Sequence, residues 1–332
     1  MASISPDPMT AYASRLNTKR FATNKELEMY RLIGHGRHEI KVGEEFFRLD
    51  REDEHDNLDA HEKALAEMIT PYWDADSNSP EMDADCGDEV DHLADQTPIK
   101  DQEDRGTCVC FASVACLEAI LKRDGNETIL SEQYANWLFM LMEKRNQCDD
   151  GLRTTVAASY LSTYGVCLDN VCPYEDSPTV HQHCMPGPAL AIQQSATYGI
   201  GKFAIIDRIG LLGPSIANTD YLESLICKGH DVVFATNVAW GEPEDDGVLD
   251  VILDKFGNPL QSRGGHAMLI VGFNRAAARP YFILKNSWGT SVGHLGYYHL
   301  SYDYIRTYGK YGYIVYNALT NMSALPPTGG VV

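Results

Sequence analysis

The chain has 332 residues, a formal net charge of −20 and a hydrophobic share of 44%. That length fits two domains, or one large two-lobed domain with an extension, and the apolar share can fill a substantial core. The acidic balance excludes a nucleic-acid partner, whose phosphates call for Lys and Arg, and no run of about twenty apolar residues is present to span a membrane.

Residues 1–22 read as a polar tail, and the opening stretch Met1–Pro8 has neither a basic nor an apolar region, so no secretory signal is expected. Asn24–Ile33 suits a short helix, and Glu39–Leu49 alternates enough for a strand or hairpin. From Asp59 onward apolar residues fall at helical spacing, with Pro71 near the end of the run. Asp74–Asp95 is acidic and rich in Ser, Pro and Asp, which reads as a linker. The clearest helix follows Gly106-Thr107, with Val114, Leu117, Ile120 and Leu121 as its apolar stripe and Gly125 as its stop. A second helix is expected after Ser131, which can cap it, running through Trp137 and Met142. A third is expected over Leu152–Tyr164. Beyond residue 200 the apolar runs are short and bounded by Gly or Pro: Val232–Phe234, Met268–Val271 and Tyr281–Leu284 are expected strands.

Three blocks carry chemistry. Gln102 precedes Cys108, which stands where the first of these helices begins; Gly264-Gly265-His266-Ala267 and Lys285-Asn286-Ser287-Trp288-Gly289 follow far downstream. Cys, His and Asn in that order, with a Gln ahead, are the parts of a thiol protease. With these blocks the chain resembles the papain-like cysteine peptidases, and its Arg105-Gly106-Thr107-Cys108-Val109 run is similar to the bacterial members. Smaller matches fall between in the same order: Leu130-Ser131-Glu132-Gln133, Cys148-Asp149-Asp150-Gly151, Gly165-Val166-Cys167 and Pro173-Tyr174. The resemblance covers about residues 95–316. It implies an α+β, papain-like two-lobed fold within residues 91–320: a helical lobe over about 100–195 and a β-rich, barrel-like lobe over about 196–316. Residues 1–90 are left as an N-terminal extension and 321–332 as a C-terminal tail.

The resemblance also implies roles. Cys108 is the nucleophile, favoured as thiolate by the helix N-terminus. His266 takes its proton in a thiolate–imidazolium pair, Asn286 orients the imidazole, and Trp288 shields that contact from water. Gln102 donates to the oxyanion beside the Cys108 N–H, a contribution of about 3 kcal/mol for one such donor. Asp150, Gly151, Gly265 and Trp288 are the expected substrate-binding residues, Asp150 standing where the family has a glycine. Glu103 also replaces a glycine and is expected either to crowd the oxyanion site or to gate it. No cofactor or metal is expected: Cys167, Cys172, His181, His183 and Cys184 are able to ligate zinc, but their spacing fits no standard pattern. Cys110 and Cys116 are expected core residues and His294 an exposed one. The acidic loop Glu242–Asp246 reads as solvated, with selection of basic substrates as the alternative.

Nine cysteines are an odd count. Secreted relatives pair a cysteine just before the nucleophile with one at the position of Cys148, but here Arg105 fills the first place. Reduced cysteines and a cytoplasmic setting are therefore expected, with export by a specialised secretion system left open. The expected partner is a protein or peptide substrate, cleaved by a processing protease or exported effector. The N-terminal segment is expected either to act as an intramolecular inhibitor or to be a structural or targeting region. Two other readings stay open at this point: a thioester-based transamidase or peptide ligase, and a non-catalytic peptide-binding module.

Overall fold

The computed structural model describes residues 39–42, 45–48, 86–143, 152–175, 188–206, 208, 215–239, 246–262 and 264–326. Near the start, β1 (Glu39–Val42) and β2 (Glu45–Arg48) pair antiparallel, so the alternating stretch forms a hairpin. The helices expected over Asn24–Ile33 and after Asp59 lie outside the described residues.

The acidic stretch expected as a linker is folded from Cys86 onward. A disulfide joins Cys86 to Cys227, β3 (Glu89–Asp91) enters the main sheet, and a 3-10 turn covers Leu93–Asp95. The physical reason is Arg275. Its guanidinium donates to Asp88 Oδ1 at 3.0 Å, to Glu223 Oε2 at 2.9 Å and to the Cys86 carbonyl at 2.9 Å. Acidity here marks a paired segment, which composition does not distinguish from a solvated one. The same disulfide corrects the expectation of reduced cysteines for Cys86 and Cys227. Cys108, Cys110, Cys116, Cys167 and Cys172 are thiols, and Cys148 and Cys184 lie outside the described residues.

The helical layer is built from α1 (Cys108–Arg123), α2 (Glu132–Met142) and α3 (Thr154–Tyr164). Gly125 takes a φ of +81° just past the end of α1, the left-handed conformation that glycine enters without a Cβ clash. Ser131 caps α2, its Oγ accepting the Tyr134 N–H at 2.9 Å. The short α4 (Leu190–Gln194) leads into β4 (Gly199–Ile200) and β5 (Phe203–Ile206). Then come α5 (Thr219–Cys227), β6 (Val232–Asn237), β7 (Val248–Leu249), β8 (Gly265–Asn274) and β9 (Tyr281–Lys285). The chain finishes through β10 (Tyr297–Ser301), α6 (Tyr302–Tyr308), β11 (Gly309–Val315) and β12 (Ala318–Leu319).

Eight strands form one sheet in the order β5-β11-β6-β8-β9-β10-β7, with β3 pairing β8 where β6 no longer reaches. All of these pairings are antiparallel except β10 with β7. Both faces are covered, which explains strands that read as apolar runs. On β8, Ala267, Leu269 and Val271 face the core shared with α1–α3, whereas Met268 and Ile270 join a second core with α5 and α6. The result is an α+β molecule with helices before about residue 195 and mainly strands after it. Among the described residues no helix is long and apolar enough to cross a membrane.

Candidate active site

Cys108 is the first residue of α1, with Thr107 before it as N-cap. The first turn contains no acidic side chain, and Lys122 and Arg123 close the other end. The positive end of the helix dipole is thus left for an anion at Cys108. Cys108 is 1% exposed. Cys110 is fully buried with Sγ 3.7 Å from Asn136 Oδ1, and Cys116 is buried with its thiol pushed up by desolvation. Both are core residues, as expected.

His266 and Asn286 reach the site from adjacent strands. His266 lies near the start of β8, opposite Thr236 on β6, and Asn286 directly follows β9. His266 Nε2 is 2.7 Å from Asn286 Oδ1. An amide oxygen accepts, so Nε2 carries the hydrogen and Nδ1 the lone pair. That Nδ1 is buried and has no hydrogen-bond partner among the described residues. Trp288 stacks on the imidazole with ring centroids 4.4 Å apart at 26°, and Tyr298 meets the indole edge-on at 5.9 Å. Burial pushes the imidazole down to about 4, against the upward pull of the Asn286 bond. Near neutral pH His266 is therefore a neutral base with one nitrogen held and the other available.

Gln102 is clamped at the same junction. Its backbone N–H donates to the Ser287 carbonyl at 2.9 Å, its Oε1 accepts from Ser287 Oγ at 2.7 Å, and its Nε2 donates to the Arg105 carbonyl at 2.6 Å. Gly289 N–H bonds the Lys100 carbonyl at 3.2 Å, so the Gln102 loop is fastened along the Asn286–Gly289 turn. Glu103 has a φ of +51°, which accounts for a glycine being usual there. Its side chain is exposed, while Gln102 is fully buried, so the glutamate does not crowd the amide.

Behind α1 lies a buried ionic cluster that was not expected. Lys100 Nζ donates to Glu118 Oε1 at 2.8 Å and to Glu132 Oε1 at 2.6 Å. Thr97 Oγ1 bonds Glu118 Oε2 at 2.5 Å, and Lys285 Nζ donates to the Thr97 carbonyl at 2.7 Å. Burial pushes Glu132 up to about 7 and Lys285 down to about 8. A small cavity here is lined by Phe111 and Ala112 of α1 on one side and by Ala267, Asn286 and Ser287 on the other. The sequence signal was a charged residue, Glu118, inside an otherwise apolar helix.

Of the residues expected to bind substrate, Asp150 and Gly151 lie outside the described residues. Gly265 is buried at the start of β8, and Trp288 is fully buried against His266, so its position suits shielding and offers no exposed surface to a ligand. Cys167 and Cys172 are free thiols, Cys167 fully buried, while His181, His183 and Cys184 fall outside the described residues, as do residues 242–245. Among the described residues no group of three or more metal-ligating side chains occurs. His294 is exposed and stacks on His299.

The profile of the papain family of cysteine proteases matches residues 86–317. The chain belongs to the papain family. Chymopapain from Carica papaya is 29% identical over 209 residues, covering 61% of this chain and 51% of chymopapain. Papain from the same plant is 28% identical over 220 residues, covering 65% of this chain and 54% of papain. The chain thus spans about half the length of the curated relatives it matches. Among solved structures, xylellain, a cysteine protease from Xylella fastidiosa, gives a TM-score of 0.59 at 22% identity, over 72% of this chain and 90% of xylellain. Procathepsin L 3 from Tenebrio molitor gives 0.52 at 20% identity, over 72% of this chain and 67% of its own. These two likenesses establish the papain-like two-lobed fold.

Proposed function

We propose that the protein is a cysteine endopeptidase in which Cys108 attacks a peptide carbonyl. One observation carries this reading: His266 is held by Asn286 through Nε2, and its buried Nδ1 has no hydrogen-bond partner among the described residues. Nδ1 takes the thiol proton, and the thiolate supplies the counter-charge that burial otherwise denies an imidazolium. The sulfur–carbon bond forms as the carbonyl electron pair moves to oxygen. There the Cys108 N–H and the Gln102 amide stabilise the charge. The carbon–nitrogen bond then breaks, His266 returns its proton to the leaving amine, and water hydrolyses the thioester. The chain's own side chains suffice for these steps, with no cofactor in the reading.

Papain-family membership supports proteins or peptides as substrates, in the manner of a processing protease or an exported effector. The Arg105–Val109 run and the xylellain likeness support a bacterial-type member. The Cys86–Cys227 bridge favours an oxidising setting reached by export over residence in the cytoplasm. Residues 1–85 are proposed as an intramolecular inhibitor, a reading supported by pro-enzymes among the fold neighbours; the disulfide moves its boundary ahead of Cys86. Peptide cleavage by the wild type and its loss in Cys108→Ala test the reading. With an added amine nucleophile, hydrolysis products support a peptidase, and predominant amide transfer would make the protein a transamidase instead.

A further inference from the structure

Arg105 occupies the place just before the nucleophile where a bridging cysteine stands in secreted relatives, yet it is only 3% exposed. One guanidinium nitrogen, Nη1, donates to Gln133 Oε1 on α2 at 2.8 Å and to the Glu175 carbonyl at 2.7 Å. The guanidinium carbon lies 5.0 Å from the ring centre of Tyr174. Tyr174 in turn grips both ends of the loop: its hydroxyl donates to the Gln102 carbonyl at 2.8 Å and lies 2.8 Å from Thr107 Oγ1. Its ring packs edge-on against Phe111 of α1 at 4.9 Å. The backbone carbonyl of Arg105 accepts the Gln102 side-chain amide at 2.6 Å. Thr107, which could have capped α1 with its own side chain, is committed to Tyr174 instead.

We propose that Arg105 and Tyr174 are positioning residues for the Gln102 amide, forming a polar strap that does without the missing disulfide. The proposal rests on the peptidase reading above. The amide of Gln102 is aimed by the Arg105 carbonyl, and that carbonyl is fixed because its side chain is locked to α2 and to the Tyr174–Glu175 backbone. A donor displaced by about 1 Å from a developing oxyanion loses most of its effect on rate. Loosening the strap therefore acts on the tetrahedral intermediate and leaves the Cys108–His266 pair alone.

The test uses the full chain with Arg105→Met, Arg105→Lys and Tyr174→Phe. Tyr174→Phe keeps the ring contacts with Phe111 and Arg105 and removes only the hydroxyl bonds. Four quantities are compared: kcat and KM on a peptide amide, the affinity of a peptide aldehyde, and the rate of Cys108 alkylation by iodoacetamide. The aldehyde adds the thiolate at its carbonyl carbon and places the resulting oxygen at the oxyanion position; iodoacetamide alkylation makes no such oxygen. Tyr174→Phe and Arg105→Met are expected to lower kcat by about tenfold to a hundredfold, with KM within about twofold. Aldehyde affinity should fall in step with kcat, and the alkylation rate should stay within about twofold of wild type. Arg105→Lys, which retains the charge without the planar fork, should restore only part of the loss. Wild-type kcat and aldehyde affinity in both Tyr174→Phe and Arg105→Met would overturn the proposal. Alkylation falling in parallel with kcat would also contradict it, since that pattern belongs to a collapsed site; if Arg105→Met fails to fold, Tyr174→Phe decides. A wild-type protein that is alkylated at Cys108 yet cleaves no peptide would refute the peptidase reading itself, and the strap with it.

Discussion

The base role proposed for His266 is supported by where it sits. Burial holds its imidazole at about 4, well below the usual value, so it stays unprotonated across the mildly acidic range. Falling pH removes the base only when it passes through that value. Activity of kcat/KM against pH should therefore keep its acid limb near 4, and a limb near 6.5 would show that the imidazole is solvated in the working enzyme. Glu103 offers a second residue-scale test. A non-glycine residue at a φ of +51° is strained by about 1 kcal/mol, and glycine relieves that strain. Glu103→Gly should raise thermal stability slightly with kcat retained; a clear loss of stability would mean that the glutamate side chain makes a needed contact. Cys108, His266, Asn286 and Gln102 could be proposed from the sequence because each stands in a dense local motif. Ser287 stood in the same motif, but its bond to Gln102 crosses 185 positions. The partners of Arg105 are 28 and 70 positions away, and no local pattern announces such pairings.

At the scale of elements, α1 is held from behind by charge. Glu118, fully buried on that helix, takes bonds from Lys100, Thr97 and the Leu130 N–H. Removing its carboxylate takes the acceptor from the buried Leu130 N–H and from Thr97 Oγ1, and leaves Lys100 with Glu132 as its remaining ionic partner. Glu118→Ala should cost about 3–5 kcal/mol in chemical denaturation, and a cost below about 1 kcal/mol would mean that water enters the cavity and takes over. The helices and main strands could be read from periodicity, since Ser131 and Gly125 mark helix ends and the β8 alternation matches two buried faces. The Cys86–Asp95 segment could not. Its acidic composition suggested solvation, and the cations that pair it, Arg275 with Asp88 and Arg123 with Asp95, stand elsewhere in the sequence.

For the whole molecule, the Cys86–Cys227 bridge joins the start of the papain-family region to α5 across 141 positions of sequence. Closing so long a loop restricts the unfolded chain, and losing it typically costs about 2–5 kcal/mol. The double variant Cys86→Ser, Cys227→Ser should unfold at lower denaturant concentration with its kcat unchanged, because neither sulfur bonds any site residue. Equal stability with and without reductant would remove the argument for an oxidising setting. The two-lobed architecture followed from resemblance carried by motifs, whereas the bridge had no signature in the spacing of its cysteines.

The central claim is that Cys108 forms an acyl-enzyme with His266 as its base. Intact-protein mass spectrometry after rapid mixing with a slowly hydrolysed peptidyl ester, followed by peptide mapping, tests it directly. The account expects a thioester adduct on Cys108 in the wild type, none in Cys108→Ala, and slow adduct formation in His266→Ala. An adduct on Cys110 or another residue, or peptide cleavage persisting in Cys108→Ala, would contradict it.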